Sequence, residues 1–381
     1  MNMLYLTRLF PNPVNRLYGS FVKEFIQFIA HKNRGKLVVI SPIPYTFYIK
    51  NFKKIPRTLV ENGIKIYYIP YLNIPKRKFC YIESWTYLVA ISNLMRKVIY
   101  DYDIDIIHAH QIFPDGYVAL KIGNKFRKPV LITIHGELPE LIKANKYKYL
   151  SCLKKADAII TIAKFQKTII EKYHIRSQKI YVIPNGFNPF LFKPFPKKNS
   201  SGQKIAVYIG HLYPPKGLPY LIEAVPRIIK KIPNFKLIIV GDGVLRSNLV
   251  NLANKLGISE KVTFVGSKNR EKIPLWLNIA DILVLPSLKE GFPTVLPEAI
   301  ACGVPVVSTK IYGIPEIISD EVGILVPPAN HKALAEAIIR AFKIDWDKNR
   351  FKEIAQKYSL EFLAEKMLKI YKDIINEMNL S

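Results

Sequence analysis

Ile282-Leu-Val-Leu-Pro-Ser-Leu-Lys-Glu-Gly-Phe-Pro-Thr-Val-Leu-Pro-Glu-Ala-Ile-Ala-Cys-Gly-Val-Pro-Val-Val307 is the stretch whose reading decides the fold. The four apolar residues Ile282 to Leu285 have the pattern of a buried strand, and Pro286-Ser287 stops it. A loop, Leu288 to Pro293, follows. A helix is expected from about Thr294 to Ala301, with Gly303 where a helix-ending glycine belongs. Val304 to Val307 then reads as a second buried strand. A strand, a glycine turn, an open helix start and another strand form an αβ unit. Unpaired N–H groups at the helix start favour an anion.

Glu290 and Glu298 look wrong for an anion site, because carboxylates repel phosphate. They make sense if the ligand carries hydroxyls beside its phosphates, since a carboxylate accepts hydrogen bonds from sugar hydroxyls. Glu290 lies in the loop and Glu298 about one turn into the helix, so the two can grip different sugars on either side of a diphosphate. That is the shape of a nucleotide-sugar. The alternative is a buried loop glutamate and a surface helix glutamate in an ordinary αβ unit.

The run EGFPTVLPEAIACGVPVV, Glu290 to Val307, resembles the signature of glycosyltransferase family 4, with its two glutamates separated by seven residues. The resemblance implies the GT-B fold: two Rossmann-like, doubly wound α/β domains facing across a cleft. It implies that Glu290 meets the transferred sugar and Glu298 the donor ribose. The amides of Gly291, Phe292, Thr294 and Val295 become candidates for the sugar and diphosphate, whereas Pro293 has no N–H to offer. It also implies retention of anomeric configuration, no required metal, and no cofactor beyond the nucleotide diphosphate sugar itself.

Length and composition fit this. A chain of 381 residues with 49% apolar content supports two domains with real cores. The net charge is +28, unevenly spread. Residues 1–195 hold 31 Lys and Arg against 11 Asp and Glu, a net +20, and the remainder holds 26 against 18, a net +8. Such a field points to nucleic acid, an anionic membrane surface or an acidic substrate. Cys80, Cys152 and Cys302 lie far apart, with no C-x-x-C, so neither a disulfide framework nor a zinc site is indicated. No apolar run nears the roughly 18 residues of a membrane span, and Met1 to Phe10 reads as a first strand, not a signal peptide. A cytoplasmic location is expected, with peripheral attachment to a membrane face.

In the amino half, Met3 to Thr7, Leu37 to Ile40, Lys65 to Ile69, Ile104 to Ala109, Val130 to Ile134 and Ala158 to Ile162 read as strands. Leu88 to Val98 and Leu141 to Ala156 read as helices. Gly19 precedes a helical pattern and resembles the family's loop to the donor diphosphate; a helix-start turn is the other reading. Aromatics mixed with lysines follow: Tyr45, Phe47, Tyr48, Lys50, Phe52, Lys53 and Lys54, then Lys76 to Phe79, Tyr81, Trp85 and Tyr87. They fit nucleic-acid stacking, a membrane-surface patch or core aromatics with lysine stems. The downstream signature favours the membrane. Asp101 to Asp105 holds two D-x-D triplets, read as an exposed turn and not a metal site.

His108-Ala-His110 ends a strand, and alternation places both imidazoles on one face. By resemblance His110 sits near the reacting carbon; a core histidine is the alternative. His135, ending Val130 to Ile134, is a similar candidate. Asn185-Gly186 and a proline-rich run to Gly202 read as a linker, giving domains 1–185, completed by a terminal helix 360–381, and 186–359. The carboxy domain opens with strand Ile205 to Ile209 and then Gly210 to Gly217. There Lys216 fits the family's diphosphate lysine. His211 stands where the family carries an arginine, and an imidazole lacks the arginine's fixed charge and bidentate fork. Gly266 and Lys268 fall where the family seats the base.

The expected chemistry is transfer of a sugar to a hydroxyl acceptor, a lipid-linked or surface-polysaccharide precursor, with His110, Glu290 and Lys216 as catalytic residues. The rival is a non-catalytic polyanion or nucleic-acid binder, although no specific nucleic-acid partner is expected.

Overall fold

The structure, a computed structural model, describes residues 1–16, 18–45, 54–73, 80–136, 138–195 and 202–380. The chain forms two compact units, Met1–Pro184 with Leu360–Ser381, and Asn185–Ser359.

The first unit carries eight strands: β1 (Met3–Leu6), β2 (Leu37–Tyr45), β3 (Thr58–Glu61), β4 (Ile64–Leu72), β5 (Ile106–His110), β6 (Val130–Ile134), β7 (Ala158–Thr161) and β8 (Ile180–Val182). Their order is β3-β4-β2-β1-β5-β6-β7-β8. All neighbours pair in parallel except β3 with β4. Central strands β1, β5 and β6 are buried on both faces, which explains their unbroken apolar runs. One face packs Leu4, Leu6, Val38 and Ile107 under the helices Cys80–Asp101 and Tyr117–Phe126; the other packs Met3, Tyr5, Val39 and Ile106 under Ser20–Lys32 and the terminal helix Leu360–Leu380.

The second unit carries β9 (Lys204–Ile209), β10 (Phe235–Val240), β11 (Val262–Gly266), β12 (Ile282–Leu285), β13 (Val306–Thr309) and β14 (Gly323–Val326). They form a wholly parallel sheet in the order β11-β10-β9-β12-β13-β14. In each sheet the chain winds outward from its first strand, then returns to wind the other way. The crevice where this reversal occurs is where such sheets bind ligands. It lies between β1 and β5 in the first unit and between β9 and β12 in the second.

Two local expectations need correcting, and one strand was not anticipated. The helix expected over Leu141 to Ala156 is two helices, Leu138–Ala144 and Lys146–Lys155. Asn145 separates them and caps the second, its side-chain oxygen accepting from Lys148 N. Strand β3 gave no sequence signal, because it is a short edge strand with alternating exposed and half-buried positions. Tyr87 is not a surface aromatic: it is fully buried and stacks on Tyr71 at 5.1 Å. Tyr45 and Trp85 are exposed, at 41% and 64%. Phe47, Tyr48, Lys50, Phe52, Lys53 and Lys76 to Phe79 lie outside the described residues, as does the side chain of Tyr81. Asp101 ends a helix and Asp105 accepts a hydrogen bond from Asn2 N at 2.7 Å, so the D-x-D run is a helix-to-strand turn.

Candidate active site

In the second unit the site is built where two loops are stitched together. The backbone N–H groups of Leu288 and Lys289 donate to Pro215 O at 2.7 and 3.2 Å. Gly217 has φ +65°, and a Cβ there would sit 2.1 Å from Pro286 O. Only glycine permits both the left-handed turn and this approach. The loop after β9 is thereby pressed against the loop after β12, at the reversal point of the sheet.

That approach seats Lys216 on Glu290, with Nζ 2.5 Å from Oε1. Ser287 Oγ donates to the same oxygen at 2.9 Å. Glu290 is 9% exposed, and burying a carboxylate this far without such partners is costly. Ser287 is itself fixed, because its carbonyl accepts from Thr309 Oγ1 on β13 at 2.6 Å.

The helix after the loop is Val295–Ala301, two turns long, with Thr294 before it and Gly303 in the left-handed conformation after it. Its bonded amides begin with Leu296 N to Pro293 O at 3.2 Å and Glu298 N to Thr294 O at 3.1 Å. Among the described residues, the amides of Gly291, Phe292, Thr294 and Val295 meet no backbone acceptor. They are donors at the mouth of the loop. Phe292 is buried against Tyr358, ring centroids 5.8 Å apart, which anchors the loop.

Glu298 is not a surface glutamate. It is 2% exposed, and its Oε1 lies 2.8 Å from Arg270 Nη1. The Arg270 guanidinium in turn sits 5.2 Å from the centre of the Phe192 ring. Arg270 and Ser287 were invisible to sequence reasoning, since neither belongs to a motif. Arg246 is a third such residue: its guanidinium lies 6.0 Å from the Phe264 ring, and a Cβ on Gly266 would lie 3.8 Å from its Nη1. Gly266 ends β11 and Lys268 follows in a half-buried position. His211 is exposed; its carbonyl accepts from Tyr208 Oη at 2.8 Å, and its ring meets Tyr213 edge-on.

In the first unit, Gly19 has φ +69° and stands at the start of the helix Ser20–Lys32, its carbonyl accepting from Val22 N and Lys23 N. A Cβ there would lie 2.3 Å from the Leu9 carbonyl carbon, so the turn folds directly on the loop after β1. His108 and His110 stack at 4.5 Å, on one face as alternation requires. His108 Nδ1 bonds Tyr371 Oη at 2.6 Å and Nε2 bonds Thr133 Oγ1 at 2.6 Å; Tyr371 also bonds Tyr5 at 2.7 Å. His110 Nδ1 bonds His135 Nε2 at 2.9 Å.

Burial holds these imidazoles neutral. It lowers the pKa of His108 and of His135 to about 3, with the neighbouring histidine adding to the effect at His108. His110 is pushed well below the usual histidine range by burial and by both neighbours. A neutral pair sharing one hydrogen bond has linked tautomers: if His110 donates, His135 accepts, and the reverse. His110 Nε2 and His135 Nδ1 are sealed from solvent without a partner among the described residues, as is Thr7 Oγ1. His108, by contrast, is the core histidine with both nitrogens satisfied.

Among the described residues no group of three or more His, Cys, Asp or Glu is arranged to hold a metal ion, and no helix is long and apolar enough to cross a membrane. Cys152 and Cys302 are free and buried.

Two doubly wound units, the second with paired acids and a lysine at its reversal point, define a glycosyltransferase of the GT-B fold. Comparison with known proteins agrees. Residues 191–358 match the family "Glycosyl transferases group 1", and residues 45–189 match "Glycosyltransferase Family 4". The chain belongs to this family of glycosyltransferases. It is 29% identical over 339 residues to an uncharacterized glycosyltransferase of Methanocaldococcus jannaschii, covering 82% of this chain and 85% of that one. It is 26% identical to the gpi3 subunit of phosphatidylinositol N-acetylglucosaminyltransferase of Schizosaccharomyces pombe, covering 84% and 71%. Among solved structures, Anabaena HepE in complex with UDP superimposes with a TM-score of 0.77 at 20% identity, covering 98% and 100%.

Proposed function

We propose that the protein is a retaining, metal-independent hexosyltransferase that takes its sugar from a nucleotide diphosphate sugar. The observation that carries this is the pairing of Lys216 with Glu290, beside a second buried acid, Glu298, held by Arg270. Each carboxylate lies against one cation, Lys216 at Glu290 and Arg270 at Glu298, so it can accept hydrogen bonds from sugar hydroxyls without leaving a buried unpaired charge.

In this reading Glu290 holds the transferred sugar and Glu298 the ribose. Lys216 has three N–H donors, so it can keep Glu290 and also take a diphosphate oxygen. The amides of Gly291, Phe292, Thr294 and Val295 complete the diphosphate cradle. His211, Gly266 and Lys268 line the nucleotide side. In the first unit the same reading assigns Gly19 to the diphosphate and His110, through its unpartnered Nε2, to the sugar being transferred.

In the reaction the bond from the anomeric carbon to the diphosphate oxygen breaks, and a bond to the acceptor oxygen forms on the same face. The acceptor proton passes to the departing phosphate oxygen. Lys216 and the amides stabilise the charge that develops there, the largest single contribution expected. The nucleotide diphosphate sugar is the donor substrate, and no further cofactor is assigned.

The acceptor is proposed to be a lipid-linked or surface-polysaccharide precursor, reached by peripheral docking on an anionic membrane face from the cytoplasmic side. The net +20 of residues 1–195 and the phosphatidylinositol in the name of the fission-yeast relative support this. Hydrolysis of a panel of nucleotide-sugars by the purified protein, followed by NMR of the transferred anomer, tests the donor and the stereochemistry. An inverted product or a strict requirement for a divalent ion defeats the reading. Sedimentation with anionic vesicles tests the docking: binding that weakens from 50 to about 200 mM salt is expected, and none at any salt rules it out.

A further inference from the structure

A groove on the second unit lies away from the donor loops, between the helices Leu218–Ile229 and His331–Ala341. The two helices run side by side in the same direction. His331 Nδ1 lies 3.7 Å from Glu223 Oε2, and one turn on, Arg227 Nη2 lies 2.8 Å from Glu336 Oε1. Each helix starts beyond the carboxyl end of a strand, β9 or β14, and so finishes at the opposite edge of the sheet. A helix of 12 residues puts Lys230 about 18 Å from Gly217. The groove has a volume of about 740 Å³.

Its charge is lopsided. Arg227, Lys230, Lys231, Lys332, Arg340 and Lys343 line it against Glu223 and Glu336, a net +4. Residues 185–359 as a whole hold 24 Lys and Arg against 14 Asp and Glu, a net +10. A large share of the unit's excess charge therefore lies along one groove. Each acid already has a basic side chain beside it. Among the described residues, the side chains of Lys230, Lys231, Lys332, Arg340 and Lys343 make no hydrogen bond or ion pair. Helix ends explain part of this, since cations suit the last turn. Each carboxyl end carries about half a negative charge, so the two ends offset about one positive charge and about three remain.

The lining narrows the ligand. None of the lining residues is aromatic, so the groove offers nucleobases no stacking platform. The groove is concave, and its half-buried apolar residues, Pro226 and Ile339, are out of reach of a flat bilayer. Glu223 and Glu336 repel a uniformly acidic peptide, but a carboxylate accepts hydrogen bonds from hydroxyls. A chain that alternates negative groups with hydroxyls satisfies all of these conditions.

We propose that this groove binds a strand of acidic glycan. Its carboxylate or phosphate groups lie on Lys230, Lys231, Arg340 and Lys343, and its hydroxyls face Glu223 and Glu336. The proposal rests on the transferase reading, under which such a strand is acceptor or product. The groove then holds the strand on the enzyme between transfers.

Fluorescence anisotropy with labelled hexagalacturonate on the full chain, at about 100 mM salt, tests it. Binding is expected to be about tenfold tighter than for maltohexaose, its neutral counterpart, because four exposed ion pairs add up to about that much. The variant Lys230→Ala/Lys231→Ala/Arg340→Ala/Lys343→Ala should lose this about tenfold advantage. All four side chains are exposed, so the fold is kept. The first unit is the more basic, so a second variant controls for general charge. Lys97→Ala/Lys125→Ala/Lys154→Ala/Lys172→Ala, also at exposed positions, should leave binding nearly unchanged. The proposal is overturned if maltohexaose binds as tightly, or if hexaglutamate or a thymidine hexanucleotide binds more tightly than the glycan. It is equally overturned if the groove variant binds like the parent or the control variant loses as much. Titration of UDP into the same samples keeps the two readings apart. Retained UDP binding without glycan binding removes the groove proposal alone, whereas absent UDP binding in the parent protein removes the transferase reading beneath it.

Discussion

The two units bury their polar groups by opposite means. At its reversal point the second unit keeps charge and neutralises it locally, Glu290 against Lys216 and Glu298 against Arg270. On one face beside its own reversal point the first unit holds no charge, with three stacked imidazoles kept neutral by burial and tied to Tyr371, Thr133 and one another, and its charged groups there, Arg8 with Glu83 and Asp115, lie apart from them. A paired ion can hold a polar ligand and stabilise a changing charge; a neutral imidazole pair can pass on a hydrogen-bond direction. The contrast assigns the electrostatic work of the proposed reaction to the second unit.

The sharpest way to break this contrast is to remove charge from the second unit. Glu290→Gln is expected to lower kcat by about 10³-fold, within the range for a group acting directly on the reacting sugar, with unchanged circular dichroism. Near-normal turnover would sink the assignment. Lys216→Met comes next. It should reduce kcat/KM by about 10²-fold and destabilise the fold by about 2 kcal/mol, because Glu290 loses its cation while Lys216 itself is partly solvated. The double variant Lys216→Met/Glu290→Gln should regain the stability in urea melts without regaining activity. Failure to regain it means the ion pair is not what Lys216 contributes to the fold. Arg270→Ala, one step further from the chemistry, should raise the donor KM about tenfold with little change in kcat; an unchanged KM would separate Glu298 from donor binding.

Acid sharpens the other side of the comparison. The folded-state pKa values of His108 and His135, about 3, lie below the ordinary 6.5, so the unfolded chain binds more protons between these limits. Their contribution is fully present above pH 6.5 and is lost as pH falls toward 3. The loss amounts to about 1 kcal/mol per histidine for each pH unit. Asp115 acts with the opposite sign: its raised pKa of about 7, against 3.8, favours the fold at low pH and weakens it as pH rises through that window. The histidines outnumber it, so Tm should fall as pH drops below 6.5. The second unit has no buried histidine among its described residues. Replacing His108 by Gln should flatten the acid limb of the Tm profile, and an unaltered limb would contradict the account.

What the sequence revealed, and what it hid, follows from distance along the chain. The β12 strand, the glycine turn and the helix with Gly303 behind it are punctuated by local signals, an apolar run and the residues that end it. Glu290, Glu298 and Lys216 were legible because they recur at fixed spacing. Their partners were not. Arg270 reaches Glu298 from a separate turn, and Tyr371 reaches His108 from a helix 263 residues away in sequence. His135 joins His110 only because β5 and β6 lie side by side. Asp115 sits in a loop whose sequence gives no sign that it will be fully buried. Contacts made by topology leave no periodic trace in the chain.

The most direct test is a crystal structure of the protein with the donor its hydrolysis screen selects. The account predicts ribose hydroxyls within about 3 Å of the Glu298 carboxylate, transferred-sugar hydroxyls on Glu290 and a diphosphate oxygen on Lys216. A nucleotide seated away from the β9 and β12 loops would contradict it.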